Sequence, residues 1–118
     1  MKKLTNGNKL YEQGDLVWIN FSPTEGHEQR GRRPALVFSI ADTQKIDGVM
    51  LVLPITSTKN YRSLSIKINT PDVYGKVLVD QVKTIDPSSE ERDVEYIGTC
   101  PNDVFDAVDD LFDQLIHK

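Results

Sequence analysis

Val49-Met50-Leu51-Val52-Leu53-Pro54-Ile55 is the stretch from which the rest of the chain can be ordered. It is nearly continuous apolar sequence, far short of the roughly 20 residues a membrane span needs. It reads instead as a central strand buried on both faces. Such a strand needs neighbours, and the flanking sequence supplies them. Upstream, Leu16-Val17-Trp18-Ile19-Asn20-Phe21 is β-rich and places Val17, Ile19 and Phe21 on one face. Pro34 to Ile40 is a second strand, with proline first, where a missing N–H is tolerated. Downstream, Ser63 to Asn69 alternates, with Leu64, Ile66 and Ile68 inward and Ser63, Ser65 and Lys67 outward. Lys76 to Val82 and Asp93 to Ile97 are further strands. Short strands at this spacing, separated by turns, predict a small barrel.

Residues 101–116 change the period. Val104, Phe105, Val108, Leu111, Phe112, Leu115 and Ile116 recur at helical spacing, and aspartates 103, 106, 109, 110 and 113 fill most of the remainder. Pro101 suits a first turn and Asp103 the positive end of the helix dipole. The expectation is an amphipathic helix packed on the barrel, its acidic face solvated. The fold class is therefore mainly β with a C-terminal α-helix.

The length, 118 residues, fits one domain. A chain of this size buries roughly two-thirds of its unfolded surface, enough to fold without metal or disulfide. Residues 1–13 are polar apart from Leu10 and Tyr11 and are expected to form a flexible N-terminal segment, with residues 14–118 as the domain. The single cysteine, Cys100, excludes an intrachain disulfide framework and a multi-cysteine zinc site. His27 and His117 are too far apart in sequence to mark a local metal site. Met1-Lys2-Lys3 is basic, but Leu4-Thr5-Asn6-Gly7-Asn8 is no signal-peptide core. A cytoplasmic protein with no membrane contact is expected.

Net charge is −4, but it is unevenly placed. Residues 1–85 hold 12 Lys/Arg against 8 Asp/Glu, and residues 86–118 hold 2 against 10. A basic face in the first part can coexist with the acidic helix, so the total does not argue against a nucleic-acid partner.

Three polar clusters can carry chemistry. The 22–32 loop is long and free of aliphatic residues, and with the strand after it presents His27, Glu28, Arg30, Arg32 and Arg33. It is either a solvated loop or an anion site, since arginines beside a rigid strand offer forked donors to phosphate. Arg33 is best placed, because Pro34 stiffens the junction. Thr56, Ser57 and Thr58 follow the central strand, as a hydroxyl turn or a phosphate contact. Asp80-Gln81 interrupts Val77-Leu78-Val79 and reads as an inward polar pair. Cys100 has no basic neighbour and reads as inert. Trp18 and the four tyrosines could stack on bases, with core or interface packing the favoured reading for Trp18. No P-loop, Rossmann fingerprint, Gly-x-Ser-x-Gly elbow or His-Glu-x-x-His occurs.

Gly14-Asp15-Leu16-Val17-Trp18-Ile19-Asn20-Phe21, then Pro23-Thr24-x-Gly26-His27-Glu28-Gln29-x-Gly31-x-Arg33-Pro34, strongly resembles the MazF/PemK family of toxin–antitoxin endoribonucleases. Val52-Leu53-Pro54-Ile55-Thr56-Ser57 and Val79-Asp80-Gln81-Val82-Lys83-Thr84-Ile85-Asp86 continue the resemblance over about residues 12–117. It implies a small SH3-like, partly open β-barrel of the CcdB/PemK-like toxin fold, usually a homodimer. It also implies sequence-selective cleavage of single-stranded RNA without metal or cofactor, by attack of the ribose 2′-OH. The products would be a 2′,3′-cyclic phosphate and a 5′-OH. A cognate MazE-like antitoxin would occupy the RNA groove.

In the MazF-like scheme the resemblance puts Arg33 and Thr56 at the scissile phosphate. In the Kid/PemK-like scheme His27 and Asp80 match, but Leu78 stands at the arginine position. Arg33 and Thr56 are thus the leading catalytic pair, with His27, Glu28 and Asp80 in support. Arg30, Arg32, Ser57, Gln81, Tyr61 and Arg62 are the expected RNA contacts. Two rivals are a CcdB-like gyrase poison and a catalytically silent barrel that binds RNA or peptide. The first is disfavoured because the chain ends Ile116-His117-Lys118 rather than Trp-Gly-Ile.

Overall fold

The computed structural model describes residues 3–5, 8–22, 31–58 and 64–117, with side chains from Leu10 onward. The elements run β1 Lys3–Thr5, β2 Asn8–Leu10, β3 Asp15–Asn20, β4 Arg32–Val37, α1 Ala41–Asp47, β5 Met50–Thr56, β6 Ser65–Asn69, β7 Tyr74–Leu78 and β8 Lys83–Ile85. A 3-10 turn at Glu90–Arg92, β9 Glu95–Thr99 and α2 Asn102–Ile116 complete them. The main sheet is antiparallel, in the order β6-β7-β5-β4-β3-β9, and β8 also pairs with β5.

β5 is the central strand the sequence predicted, and its pairing explains the curl of the sheet into a half-barrel. One edge meets β4 through Ala35 opposite Pro54, Leu36 opposite Leu53 and Val37 opposite Val52. The other edge is shared. Met50 to Val52 pair with β8, and Ile55 and Thr56 pair with β7. Pro54, which has no N–H to give a ladder, sits just where that edge passes from one partner to the other.

Both faces of the central strands are buried. Leu16, Leu36, Leu53 and Ile55 join one apolar cluster, while Val17, Ile19, Ala35, Val37, Met50 and Val52 join a second. This is the period of two of a strand applied to two cores at once. A register shift between Leu16 and Val17, where β3 meets β9, bends the sheet further.

α2 closes the first cluster. Val108 is fully buried, and Val104, Phe105, Leu111 and Phe112 pack around it. Phe38 meets Phe112 edge-on at 4.9 Å between ring centroids and Phe105 at 5.8 Å. The aspartates face solvent, as the spacing predicted.

Four details differ from the sequence reading. Residues 1–13 contain a hairpin, β1 paired with β2, and Leu10 and Tyr11 are buried at its end. The Tyr11 N–H donates to Oε1 of the buried Gln44 at 2.9 Å. Burial also pushes the Tyr11 hydroxyl pKa up. Gln44 belongs to α1, a short helix that strand periodicity gave no reason to expect. It stops at Gly48, whose left-handed φ of 75° lets its N–H reach the Gln44 carbonyl. Leu64, expected inward, is 48% exposed, because β6 is the outermost strand and Leu64 lies before its first residue. Asp80 and Gln81, expected as an inward pair, are exposed. β7 and β8 both claim the same edge of β5, so the chain must turn between them, and Val79-Asp80 is that turn.

Candidate functional site

The two arginines that open β4 have opposite environments, as consecutive residues of a strand must. Arg32 is held within the protein. Its guanidinium lies 5.7 Å from the Trp18 ring centroid. Its Nη2 donates to Glu95 Oε1 at 2.8 Å and to the Asp93 carbonyl at 3.4 Å, and its Nε is 3.4 Å from Asp93 Oδ2. Those contacts engage Nη2 of the group that the sequence assigned to RNA, while Nε makes no hydrogen bond and the side chain lines the second depression described below. Arg33 pairs backbone to backbone with Ile19, and its side chain is exposed, with no ion-pair partner among the described residues.

Thr56 closes β5 and is buried to 7% exposure. Its Oγ1 donates to Thr58 Oγ1 at 3.1 Å and accepts the Thr58 N–H at 3.2 Å. The Ser/Thr turn is therefore real, and it fixes the rotamer of Thr56 beside Arg33. Gly75 sets how closely β7 approaches. Its φ is 147°, and a Cβ there would fall 2.3 Å from the Thr56 carbonyl oxygen. Only glycine permits the Lys76–Thr56 pairing that anchors this corner.

Three adjoining depressions meet at these residues. One of about 200 Å³ is lined by Phe21, Arg33, Pro54, Thr56, Thr58, Leu78 and Lys83, among others. A second of about 300 Å³ runs between Trp18 and Tyr74, with Arg33, Thr56, Ser57 and Asp72. A third of about 140 Å³ lies over Thr56 to Thr58, with Lys67, Tyr74 and Lys76. Thr56 borders all three and Arg33 two of them. The result is a trough with one arginine at its crossing point and three lysines along it. No residue of α2 lines any of the three, so the acidic helix face is kept apart from it.

The sequence candidates separate accordingly. Arg33, Thr56 and Ser57 are brought together, and Arg32 supports a wall of the trough. Asp80 and Gln81 sit in the turn after β7, outside all three linings. His27, Glu28, Arg30, Tyr61 and Arg62 lie outside the described residues. Lys67, Asp72, Gly75, Lys76 and Lys83 were not singled out from sequence, and Tyr74 only as one of four tyrosines able to stack on bases. The one available signal was Gly75, because glycine inside a strand pattern marks close backbone approach. Cys100 is buried, and burial helped by Asp103 pushes its thiol to about 11, which removes it from the chemistry. No described helix is long and apolar enough to cross a membrane.

Residues 12–116 match the model of the PemK-like, MazF-like toxin family of type II toxin–antitoxin systems. The chain belongs to this family. It is 42% identical over 82 residues to the endoribonuclease toxin ChpB of Escherichia coli K12, across 64% of this chain and 70% of ChpB. The crystal structure of MazF from Deinococcus radiodurans matches with a TM-score of 0.76 and 34% identity, covering 92% of this chain and 98% of that one. The MazE–MazF crystal structure from the same organism matches at 0.75 and 30%, covering 92% and 97%. Within the PemK/MazF frame, Leu78 is informative. It stands where the Kid/PemK-like scheme has an arginine, and it lines the first depression, whose cations are Arg33 and Lys83.

Proposed function

We propose that this chain is the toxin of a toxin–antitoxin pair and acts as a metal-independent, sequence-selective endoribonuclease on single-stranded RNA. The observation that carries the reading is the Arg33–Thr56 corner. An exposed guanidinium with no ion-pair partner among the described residues and a fixed hydroxyl border the same two depressions, with Lys67, Lys76 and Lys83 on either side.

The chemistry follows from what each group can do. The 2′-OH on the 5′ side of the scissile phosphate attacks phosphorus, the P–O5′ bond breaks, and a 2′,3′-cyclic phosphate and a 5′-OH result. RNA carries its own nucleophile, so the protein needs only to place the phosphate, hold its growing charge and move protons. Arg33 suits the charge, because its fork can grip two equatorial oxygens. It stays protonated throughout, with a pKa above about 12. Thr56 hydrogen-bonds a phosphate oxygen or orients the 2′-OH. The proton of the 2′-OH passes to His27 or Glu28, either of which can accept one near neutral pH. The lysines hold flanking phosphates, and Asp80 plays a secondary part from its turn.

A two-fold homodimer in the cytoplasm is the assembly we infer, as two-fold dimers are the commonest small oligomers. A cognate antitoxin would lay an extended acidic and apolar tail along the trough. The Deinococcus structure named as a MazE–MazF complex supports that partner class.

Purified protein incubated with a long RNA in EDTA tests the reading. Cleavage at a recurring short motif, with cyclic phosphate and 5′-OH ends, is expected. A 2′-deoxy residue on the 5′ side of the cut should abolish it. Cleavage that needs Mg²⁺, or binding without any cleavage, would replace it with a metal nuclease or the silent RNA-binding barrel.

A further inference from the structure

The second depression is built differently from the rest of the trough. It is about 300 Å³, at the lower limit of small-ligand clefts, which run from about 300 to 1,000 Å³. Its two sides are aromatic. Trp18 is fixed by the Arg32 guanidinium, itself held by Asp93 and Glu95. Tyr74 lines the same depression from β7 and is 63% exposed. Between them the rim carries one acid, Asp72.

The placement of Asp72 is over-determined. The turn that bears it is tied by Thr70, whose Oγ1 accepts the N–H groups of Asp72 at 3.1 Å and Val73 at 2.9 Å. Its carboxylate lies over Gly98 of β9, where a Cβ would fall 2.7 Å from Asp72 Oδ2. Among the described residues that carboxylate has no hydrogen-bond or ion-pair partner. An acid without a partner is out of place in a trough meant only for phosphates, since it repels them. It is well placed for a group that offers N–H donors.

We propose that the depression between Trp18 and Tyr74 is a nucleobase subsite, selective for guanine, for the nucleotide next to the phosphate held by Arg33 and Thr56; this rests on the endoribonuclease reading. The base stacks on Tyr74, as single-stranded nucleic acids do on exposed aromatic rings. Asp72 then accepts from its edge. Guanine alone presents two adjacent donors, N1–H and N2–H₂, to a two-oxygen acceptor. Adenine and cytosine present one amino group beside a ring nitrogen whose lone pair repels a carboxylate. Uracil presents one N–H between two carbonyl oxygens. Selectivity thus comes from a carboxylate, and attraction from the ring.

Two measurements test it on the full-length protein. Trp18 is the sole tryptophan, so its fluorescence reports on this depression alone. Uncleavable 2′-O-methyl oligonucleotides containing guanine should quench it. Inosine, which lacks the N2 amino group, and uracil should bind about tenfold or more weakly. Cleavage maps of a long RNA should show guanine at one fixed position beside the cut. Tyr74→Ala should weaken binding about tenfold, and Asp72→Asn should move the preference from guanine towards adenine, whose N6 and N7 suit an amide. Gly98→Ala should blur the preference by displacing the carboxylate without touching RNA. Maps without a fixed guanine, or variants that keep the wild-type pattern and affinity, would overturn the subsite while leaving the nuclease standing. Guanine-selective quenching without any RNA cleavage would keep the subsite and remove the nuclease.

Discussion

The helix end and the trough end of this molecule use charge in opposite ways. On α2 five exposed aspartates lie beside an apolar stripe, and their contacts, such as Gln114 with Asp110, stay within the helix and its ends. In the trough a few cations are set into walls that are otherwise apolar or aromatic. Arg32 and Arg33 repeat the contrast at one residue's distance. The first turns its guanidinium to Asp93, Glu95 and the Trp18 ring, and the second meets no such partner among the described residues.

Arg33→Ala gives the largest expected change. Cleavage should fall by about two to three orders of magnitude, the usual loss for one donor to transition-state charge, while thermal stability stays near wild type. Arg33→Lys should also be poor, because a point charge cannot replace the fork. Arg32→Ala should reverse the pattern. It should cost about 1 kcal/mol of stability from the lost ion pairs and ring contact, with a smaller loss of rate. Equal kinetic losses from both variants would erase the distinction between the neighbours.

Gly75→Ala comes next. Its positive φ and the clash with the Thr56 carbonyl should cost about 1–3 kcal/mol in denaturant unfolding. Cleavage should drop further than stability accounts for, since the displaced strand end carries Thr56. A fully active Gly75→Ala protein would show that the corner tolerates movement.

The lysines should contribute through screening. The logarithm of RNA affinity should fall linearly with the logarithm of salt concentration, by about 0.7 per phosphate neutralised on a single strand. Lys83→Ala should lower that slope by roughly one such unit. Replacing Asp106 and Asp110 of α2 with asparagine should leave both slope and rate unchanged. An altered slope would bring the helix face into the RNA path.

The smallest effect concerns Cys100. Its thiol is pushed up from the ordinary 9.0 to about 11 by burial and by Asp103. Its contribution to stability is therefore intact below about pH 9 and is lost as the pH rises towards 11. Alkylation at neutral pH should be slow in the folded protein. Rapid labelling there would mean that the α2 end opens readily.

Much of this was open to reading in the chain itself. The run from Val49 to Ile55, the alternation around Val17 and Ile19, and the helical stripe from Val104 to Ile116 determine a curled β-sheet closed by a helix. They do so because hydrophobic period is a local property and burial obeys it. Arg33 and Thr56 were visible too, because each stands where a regular strand meets a turn. The tertiary structure alone decided the rest. Arg32 and Arg33 carry the same side chain, and only the packing of the Asp93–Glu95 segment against β3 and β4 tells which one meets those acids. Asp80 and Gln81 look inward until β7 and β8 compete for one edge of β5. Trp18 lies more than fifty residues from Asp72 and Tyr74 in the sequence, and no local pattern joins them. A site made of contacts between distant strands exists only once the strands have been ordered.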